Sequence, residues 1–316
     1  MVPEELSPDG LRGFDPGGEV HDLDGETMGT FWRVRAALPA GTDRPALREE
    51  IQQRLDGIAA QMSHWDPASL LMAFNRAPAG HWQVLPQDFA RVMACGLAIA
   101  ETSGGAFDPA LGRLTDLWGL GPNPATGAPE PGAIARAREH CGWQRLAFDS
   151  AAGRLRQPGG VWLDLSGIAK GYAADAVADL LADRGVRHAL AEVGGECVGR
   201  GLRPDGDPWW VEAEAPPAFI GPPLRIALYQ LAVATSGDYL GGAHTLDPAH
   251  GGPAIHDTSS VTVIAPSCME ADAWASALLV LPIPAAMALA TRERLCVRWI
   301  SRGGHERLSP ALSALL

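Results

Sequence analysis

The stretch Leu163-Asp164-Leu165-Ser166-Gly167-Ile168-Ala169-Lys170-Gly171-Tyr172-Ala173-Ala174-Asp175 constrains the fold of this 316-residue chain more than any other. It reads as the end of a strand (Val161-Trp162-Leu163), a tight glycine-bearing turn, and a helix. Ile168, Tyr172, Ala173, Val177, Leu180 and Leu181 fall on one helical face, and Gly185 stands where a left-handed C-terminal stop is wanted. Asp164, Ser166 and Lys170 crowd around two glycines, where a backbone can approach a ligand closely and helix N–H groups point at an anion. The plainer reading is a strand-to-helix turn capped by Ser166, with a surface lysine. The pattern GxxxxGK[ST] is absent, so this is not a Walker loop.

On either side the chain alternates helical and extended patterns. Thr27 to Arg35 reads as a first strand, opened by a glycine. Leu47, Ile51, Leu55, Ile58 and Met62 give Pro45 to Met62 a helical period, and Pro86 to Thr102 is a second amphipathic helix. A strand hairpin spans Arg145 to Leu163. Further strands are expected at Ala189 to Gly195, ending in its glycines, and at Trp209 to Ala213, Leu224 to Leu228, Ser260 to Ala265 and Val297 to Ser301, with a helix from Cys268 to Leu281. Val233 to Tyr239 and His244 to Pro248 read as turns joined by Gly241-Gly242. Interspersed helices and strands with several hairpins favour α+β over a doubly wound sheet.

A net charge of -12 argues against nucleic acid or an anionic membrane surface as partner, since both need a basic patch. A phosphorylated ligand would need a metal ion or a few placed donors beside it. Cys95, Cys141, Cys197, Cys268 and Cys296 are scattered and form no CxxC pair, which excludes a thiolate metal framework and points to buried thiols in a reducing compartment. Residues 1–26 read as a loose acidic arm without a leader pattern, so a cytoplasmic protein is expected. The run Ala273 to Ala290 is uncharged, but Pro282 and Pro284 break it into two buried helical pieces rather than a membrane span.

Three groups of residues carry chemistry. Ser267 and Glu270 fit a capping box, which leaves Asp272 a turn inside its helix with Ser276 on the same face. A carboxylate and a hydroxyl so placed suit a hard cation such as Mg2+; the plainer reading is a helix-start aspartate and a small core serine. His244 stands three residues before Asp247, an imidazole with a carboxylate that could orient it. His250 and His256 follow, but HExxH and related zinc spacings are missing. Gly194-Gly195-Glu196 lacks the GxGxxG spacing of a dinucleotide site, and Trp65 and Trp118 offer faces for a planar ring or simply fill a core.

The order of the motifs goes further than any one of them. Met28-Gly29-Thr30, Met62-Ser63-His64-Trp65 with Ser69 and Phe74-Asn75-Arg76, and Phe107-Asp108 with Leu117-Trp118-Gly119 come first. Asp164 to Tyr172, Gly194-Gly195, Thr235 to Tyr239, His244 to Pro248, and Ala271-Asp272 with Ala275-Ser276 follow. This sequence of blocks, from about Thr27 to Leu281, resembles the ApbE family of FAD:protein FMN transferases.

The resemblance implies a two-lobed α+β unit over residues 27–316, with largely antiparallel sheets, flanking helices and a FAD cleft between the lobes. It implies Mg2+-dependent cleavage of the FAD pyrophosphate, transfer of FMN to a Ser or Thr hydroxyl of an acceptor flavoprotein, and release of AMP. By the same resemblance the metal would be held by Asp272, Ser276 and the carbonyl of Gly167. FAD would be contacted by Met28, Trp65, Ala106, Phe107, Asp108, Asp164, Lys170 and Leu246, and His244 would be the base. Ser276 replaces the family's usual threonine but keeps the hydroxyl, and Trp65 stands where a tyrosine is expected. Family members are often exported, so a periplasmic location is the alternative to the cytoplasm. The rival activities are a FAD pyrophosphatase giving FMN and AMP, and a non-catalytic FAD-binding protein.

Overall fold

The computed structural model describes residues 9–239 and 244–316; Gly241-Gly242 and the first eight residues of the expected arm lie outside the described residues. The first half of the chain forms β1 (Val20–Thr27), β2 (Thr30–Ala37), α1 (Arg44–Met62), α2 (Leu70–Arg76), β3 (Trp82–Val84), α3 (Gln87–Thr102), α4 (Gly112–Leu117), α5 (Pro131–Arg138), β4 (Ala147–Asp149) and β5 (Arg154–Arg156). The second half forms α6 (Ala169–Asp183), β6 (Ala189–Val193), β7 (Glu196–Arg200), β8 (Trp209–Glu212), β9 (Arg225–Leu228), β10 (Leu231–Gly237), β11 (Leu246–Asp247) and β12 (Gly252–Pro253). It ends with β13 (Thr258–Ala265), α7 (Cys268–Leu279), α8 (Ile283–Arg292), β14 (Cys296–Ser301), β15 (Glu306–Leu308) and α9 (Pro310–Ser313).

Eight strands make one antiparallel sheet in the order β1-β2-β6-β7-β10-β13-β14-β15. Alternation along the central strands buries both faces, whereas β2 turns one face to solvent. Ala232 and Ala234 of β10 and Val261 and Val263 of β13 face the main core with α1, α3, α6 and α7. Val233 and Ile264 face the other way, into a smaller core closed by the β8–β9 hairpin with Trp209, Ile226 and Leu228. The fold is α+β, as expected.

α1 buries Leu47, Ile51, Leu55, Ile58 and Met62, the five residues its period marks. α6 ends as its sequence requires: Gly185 has φ +80, and Val186 N–H donates to the Leu181 carbonyl at 2.8 Å. Among the described residues no helix is long and apolar enough to cross a membrane, and the run Ala273 to Ala290 is split between α7 and α8.

Four expectations need correction. The arm does not extend to residue 26, because β1 is the edge strand of the sheet, tied to α1 by Arg48 Nε to Asp24 O (2.7 Å) and Gln52 Nε2 to Glu26 O (2.9 Å). Met28 is not in a strand: with φ +49, followed by Gly29 at φ +73, it forms the two-residue turn between β1 and β2. Val161 to Leu163 is not a strand either. Its polar groups are met by side chains, since Asn75 Oδ1 accepts from Leu163 N–H at 2.7 Å and Gln157 Nε2 donates to Val161 O at 3.0 Å. Finally, Leu231 to Gly237 is a strand rather than a turn, because pairing with β7 and β13 outweighs its local Ser-Gly signal.

The segment after Asp9 is pinned by His188. The buried ring accepts from Leu202 N–H at Nδ1 (3.0 Å), so Nε2 carries the proton and donates to Arg12 O (3.1 Å). Burial depresses the His188 pKa below 6.5. A depressed histidine contributes stability above the unfolded value and loses it as pH falls through the folded one. Thermal melts between pH 8 and pH 5 are therefore expected to show a stability loss below about pH 6.5 that a His188→Gln variant lacks.

Candidate active site

The turn before α6 is built by Asp164. Its Oδ1 accepts from Ser166 N–H at 2.9 Å, its Oδ2 from Thr115 Oγ1 at 2.5 Å, and His64 Nδ1 stands 3.8 Å away. Ser166 therefore does not cap the helix; the N-cap is Ile168, which has no side-chain cap. Gly167 lies hard against α7: a Cβ there would come 2.7 Å from Ser276 Oγ, so only glycine lets the backbone approach that hydroxyl.

α7 starts where the capping residue predicts, with Ser267 Oγ accepting from Glu270 N–H at 3.3 Å. Asp272 is thus inside the helix and 3% exposed, and its Oδ2 accepts from Gly171 N–H at 3.0 Å. Gly171 is required by the same crossing, since a Cβ would fall 2.2 Å from Cys268 O. Ser276 Oγ lies 3.3 Å from Ser236 Oγ on β10. Burial pushes the Asp272 carboxyl above its usual range, with Lys170 and the Gly171 N–H pulling the other way.

Lys170 Nζ bonds Glu196 Oε1 at 2.5 Å. Burial opposes the lysine's charge, but Glu196 and Asp272 outweigh it and raise its pKa. The Glu196 carboxyl is itself pushed up to about 8, by burial first and the nearby Asp272 second, against the pull of Lys170.

The facing wall comes from the loop after α3. Asp108 accepts from Ala110 N–H (2.8 Å) and Trp143 N–H (3.2 Å), yet burial still raises its pKa to about 6. Trp65 is 59% exposed, its ring beside that of His64 (centroids 5.4 Å apart), and offers an aromatic surface to a planar ligand.

Between the two walls is a cleft of about 600 Å³, within the usual range for small-molecule sites. It gathers Trp65, Ala106, Phe107, Asp108, Asp164, Gly167, Lys170, His244, Leu246, Asp272 and Ser276. Met28 is not among the lining residues; it packs against the core from its turn. Asp247, expected beside His244, has its Oδ1 on Ala249 N–H (2.8 Å) and its Oδ2 on His250 Nδ1 (2.5 Å). Sequence reasoning missed Glu196, Ser236, His64 and Thr115, all of which line the cleft. Two signals were present: Glu196 directly follows Gly194-Gly195, and Lys170 is the chain's one lysine.

The lining carries the carboxyl groups of Asp108, Asp164, Glu192, Glu196, Glu214 and Asp272 against the single ammonium of Lys170. Such a cleft attracts cations and binds an anion only with one. The oxygen donors of Asp272 and Ser276, beside the Gly167 backbone, fit a hard divalent ion.

The sequence profile of the ApbE family matches residues 28–299. A protein of Klebsiella pneumoniae (strain 342) named FAD:protein FMN transferase is 35% identical over 303 residues, covering 92% of this chain and 86% of that protein. One of the same name from Escherichia coli (strain K12) is 35% identical, covering 90% and 85%. The solved structure of flavin transferase ApbE from Vibrio cholerae has a TM-score of 0.88 at 30% identity, covering 95% of this chain and 100% of that one. The apo flavinyl transferase ApbE of Pseudomonas stutzeri gives 0.87 at 34% identity, covering 94% and 97%. With nearly its whole length matched in this way, in sequence and in fold, the chain belongs to the ApbE family.

Proposed function

We propose that the cleft binds FAD with Mg2+ and transfers its FMN half to a Ser or Thr hydroxyl of an acceptor flavoprotein, releasing AMP. The observation that carries this reading is the meeting of Asp272, Ser276, Gly167, Lys170 and His244 in one cleft that is otherwise acidic. FAD brings a doubly charged pyrophosphate, which the ionised carboxyl groups of the cleft would repel without a cation. Asp272, Ser276 and the Gly167 carbonyl would hold Mg2+, which neutralises charge on the phosphoryl oxygens when bound.

The protein's own groups account for the rest. Lys170 faces the pyrophosphate as a point charge. Trp65 offers its exposed face to a ring of FAD, and Phe107 and Leu246 wall off the cleft. His244 takes the proton of the acceptor hydroxyl as its oxygen bonds the phosphorus of the FMN half. The bond from that phosphorus to the AMP oxygen breaks, and AMP leaves with the electron pair. Positioning and charge neutralisation dominate such transfers.

The test incubates the protein with FAD, MgCl2 and a threonine-bearing acceptor peptide, following AMP and peptide mass together. AMP formed only with peptide, alongside a flavinylated product, is expected. AMP and FMN without acceptor would instead make the protein a pyrophosphatase, and neither product with FAD retained would make it a binding protein. His244→Ala is expected to slow transfer by about 10²–10⁴-fold, measured by the same product analysis, with FAD affinity little changed.

A further inference from the structure

Lys170 is the one lysine among 25 Lys and Arg residues. Elsewhere the chain meets every need for a cation with a planar guanidinium; here it uses a compact ammonium on a flexible stem, and the two are not interchangeable. The surroundings are shaped to that stem. β6 and β7 are joined by Gly194-Gly195, with φ +62 and +102. A Cβ at Gly194 would lie 2.9 Å from Thr30 Cγ2 and 3.3 Å from Lys170 Cδ, so the lysine's methylenes pass over a turn that has no side chain. The next residue, Glu196, receives the ammonium at 2.5 Å.

Glu196 is not fully satisfied by the fold around it. Its side chain is 5% exposed, and its Oε2 is buried with no hydrogen-bond partner among the described residues. A bare buried carboxylate oxygen is unfavourable, so the fold by itself leaves Glu196 incompletely paired. Its ion pair among the described residues is with the lysine that lines the cleft.

We propose that Gly194-Gly195-Glu196 is a cradle for Lys170, with Glu196 as the positioning residue that aims the ammonium at the pyrophosphate of the substrate. This rests on the reading of Lys170 as a substrate contact. Glu196 acts through Lys170 and does not itself touch FAD.

The test uses the full chain and three readouts: calorimetric titration with FAD and Mg2+, thermal melting, and the ε-ammonium resonance of lysine-15N-labelled protein, which contains one such signal. Glu196→Gln is expected to weaken FAD binding about tenfold or more. Its melting temperature is expected at or above the parent's, and its ammonium signal shifted and broadened by faster exchange. Glu196→Asp keeps the charge but not the reach, and is expected to recover little of the lost affinity. In a Lys170→Met background, Glu196→Gln is expected to change FAD binding no further.

Parent-like FAD binding by Glu196→Gln overturns the proposal. So does an equal loss in the Lys170→Met background, full recovery by Glu196→Asp, or a loss that tracks a fall in melting temperature. If Lys170→Met itself binds FAD like the parent, the substrate reading of Lys170 falls and the proposal with it. That outcome is told apart by the ammonium signal, which reports the cradle without FAD.

Discussion

Asp272→Asn is expected to lower flavin transfer on the order of 10²–10³-fold or more, while the protein melts no lower than the parent. The two halves of this result have separate causes. Asparagine keeps the size of the side chain and can still accept from Gly171 N–H through its amide oxygen, so the α6–α7 crossing survives. What it removes is a buried negative charge that the fold holds at a cost, as the upward push on the Asp272 carboxyl indicates. That charge is the one formal anion in the set proposed to hold Mg2+, so activity falls although stability does not. Product analysis with FAD, MgCl2 and acceptor peptide, beside thermal melts, measures both halves. A fully active Asp272→Asn protein removes the metal assignment.

Asp175→Ala is expected to have the opposite profile, a loss of about 2–4 kcal/mol of stability with activity falling only as the helix that carries Asp272 loosens. Asp175 sits in α6 and caps a different helix. Its carboxylate accepts from Cys268 N–H, Met269 N–H and Ser267 Oγ, each at 2.9 Å, at the start of α7. Burial of the carboxyl is unfavourable in itself, but alanine would remove the acceptor and leave two buried backbone N–H groups and the half-buried Ser267 hydroxyl without it. Urea unfolding measures the effect: the midpoint should fall while the slope stays constant. An unchanged midpoint would show that the start of α7 is held by Ser267 alone.

The contrast between these two aspartates marks the limit of reading the sequence. Both lie in helices and both look like ordinary helical carboxylates. Asp272 was legible because Ser267 and Glu270 fixed where its helix starts, and a helix start fixes which residues share a face. The role of Asp175 was not legible, because its partners are 92 to 94 positions away in sequence and meet it only after α6 and α7 have crossed. Glu196 was missed for the same reason, since Lys170 and Glu196 are joined by a turn and a strand pairing that no local pattern announces. Met28 shows the limit from the other side: the sequence places its block in the chain, but only the structure shows the β1–β2 turn from which it packs against the core.

The sequence by itself determined what is periodic and local. It set the buried face of α1, the left-handed stop at Gly185, the cap at Ser267, and the order of blocks that marks the family. Only the tertiary structure decided which charges meet. It put six carboxyl groups and one ammonium around one cleft, set Asp247 against His250, and set Glu196 beneath Lys170. The physical reason is that helical period and capping act within one or two turns of chain, whereas electrostatic energies depend on separation in space and on burial. Those two quantities exist only once the sheet and its helices have packed.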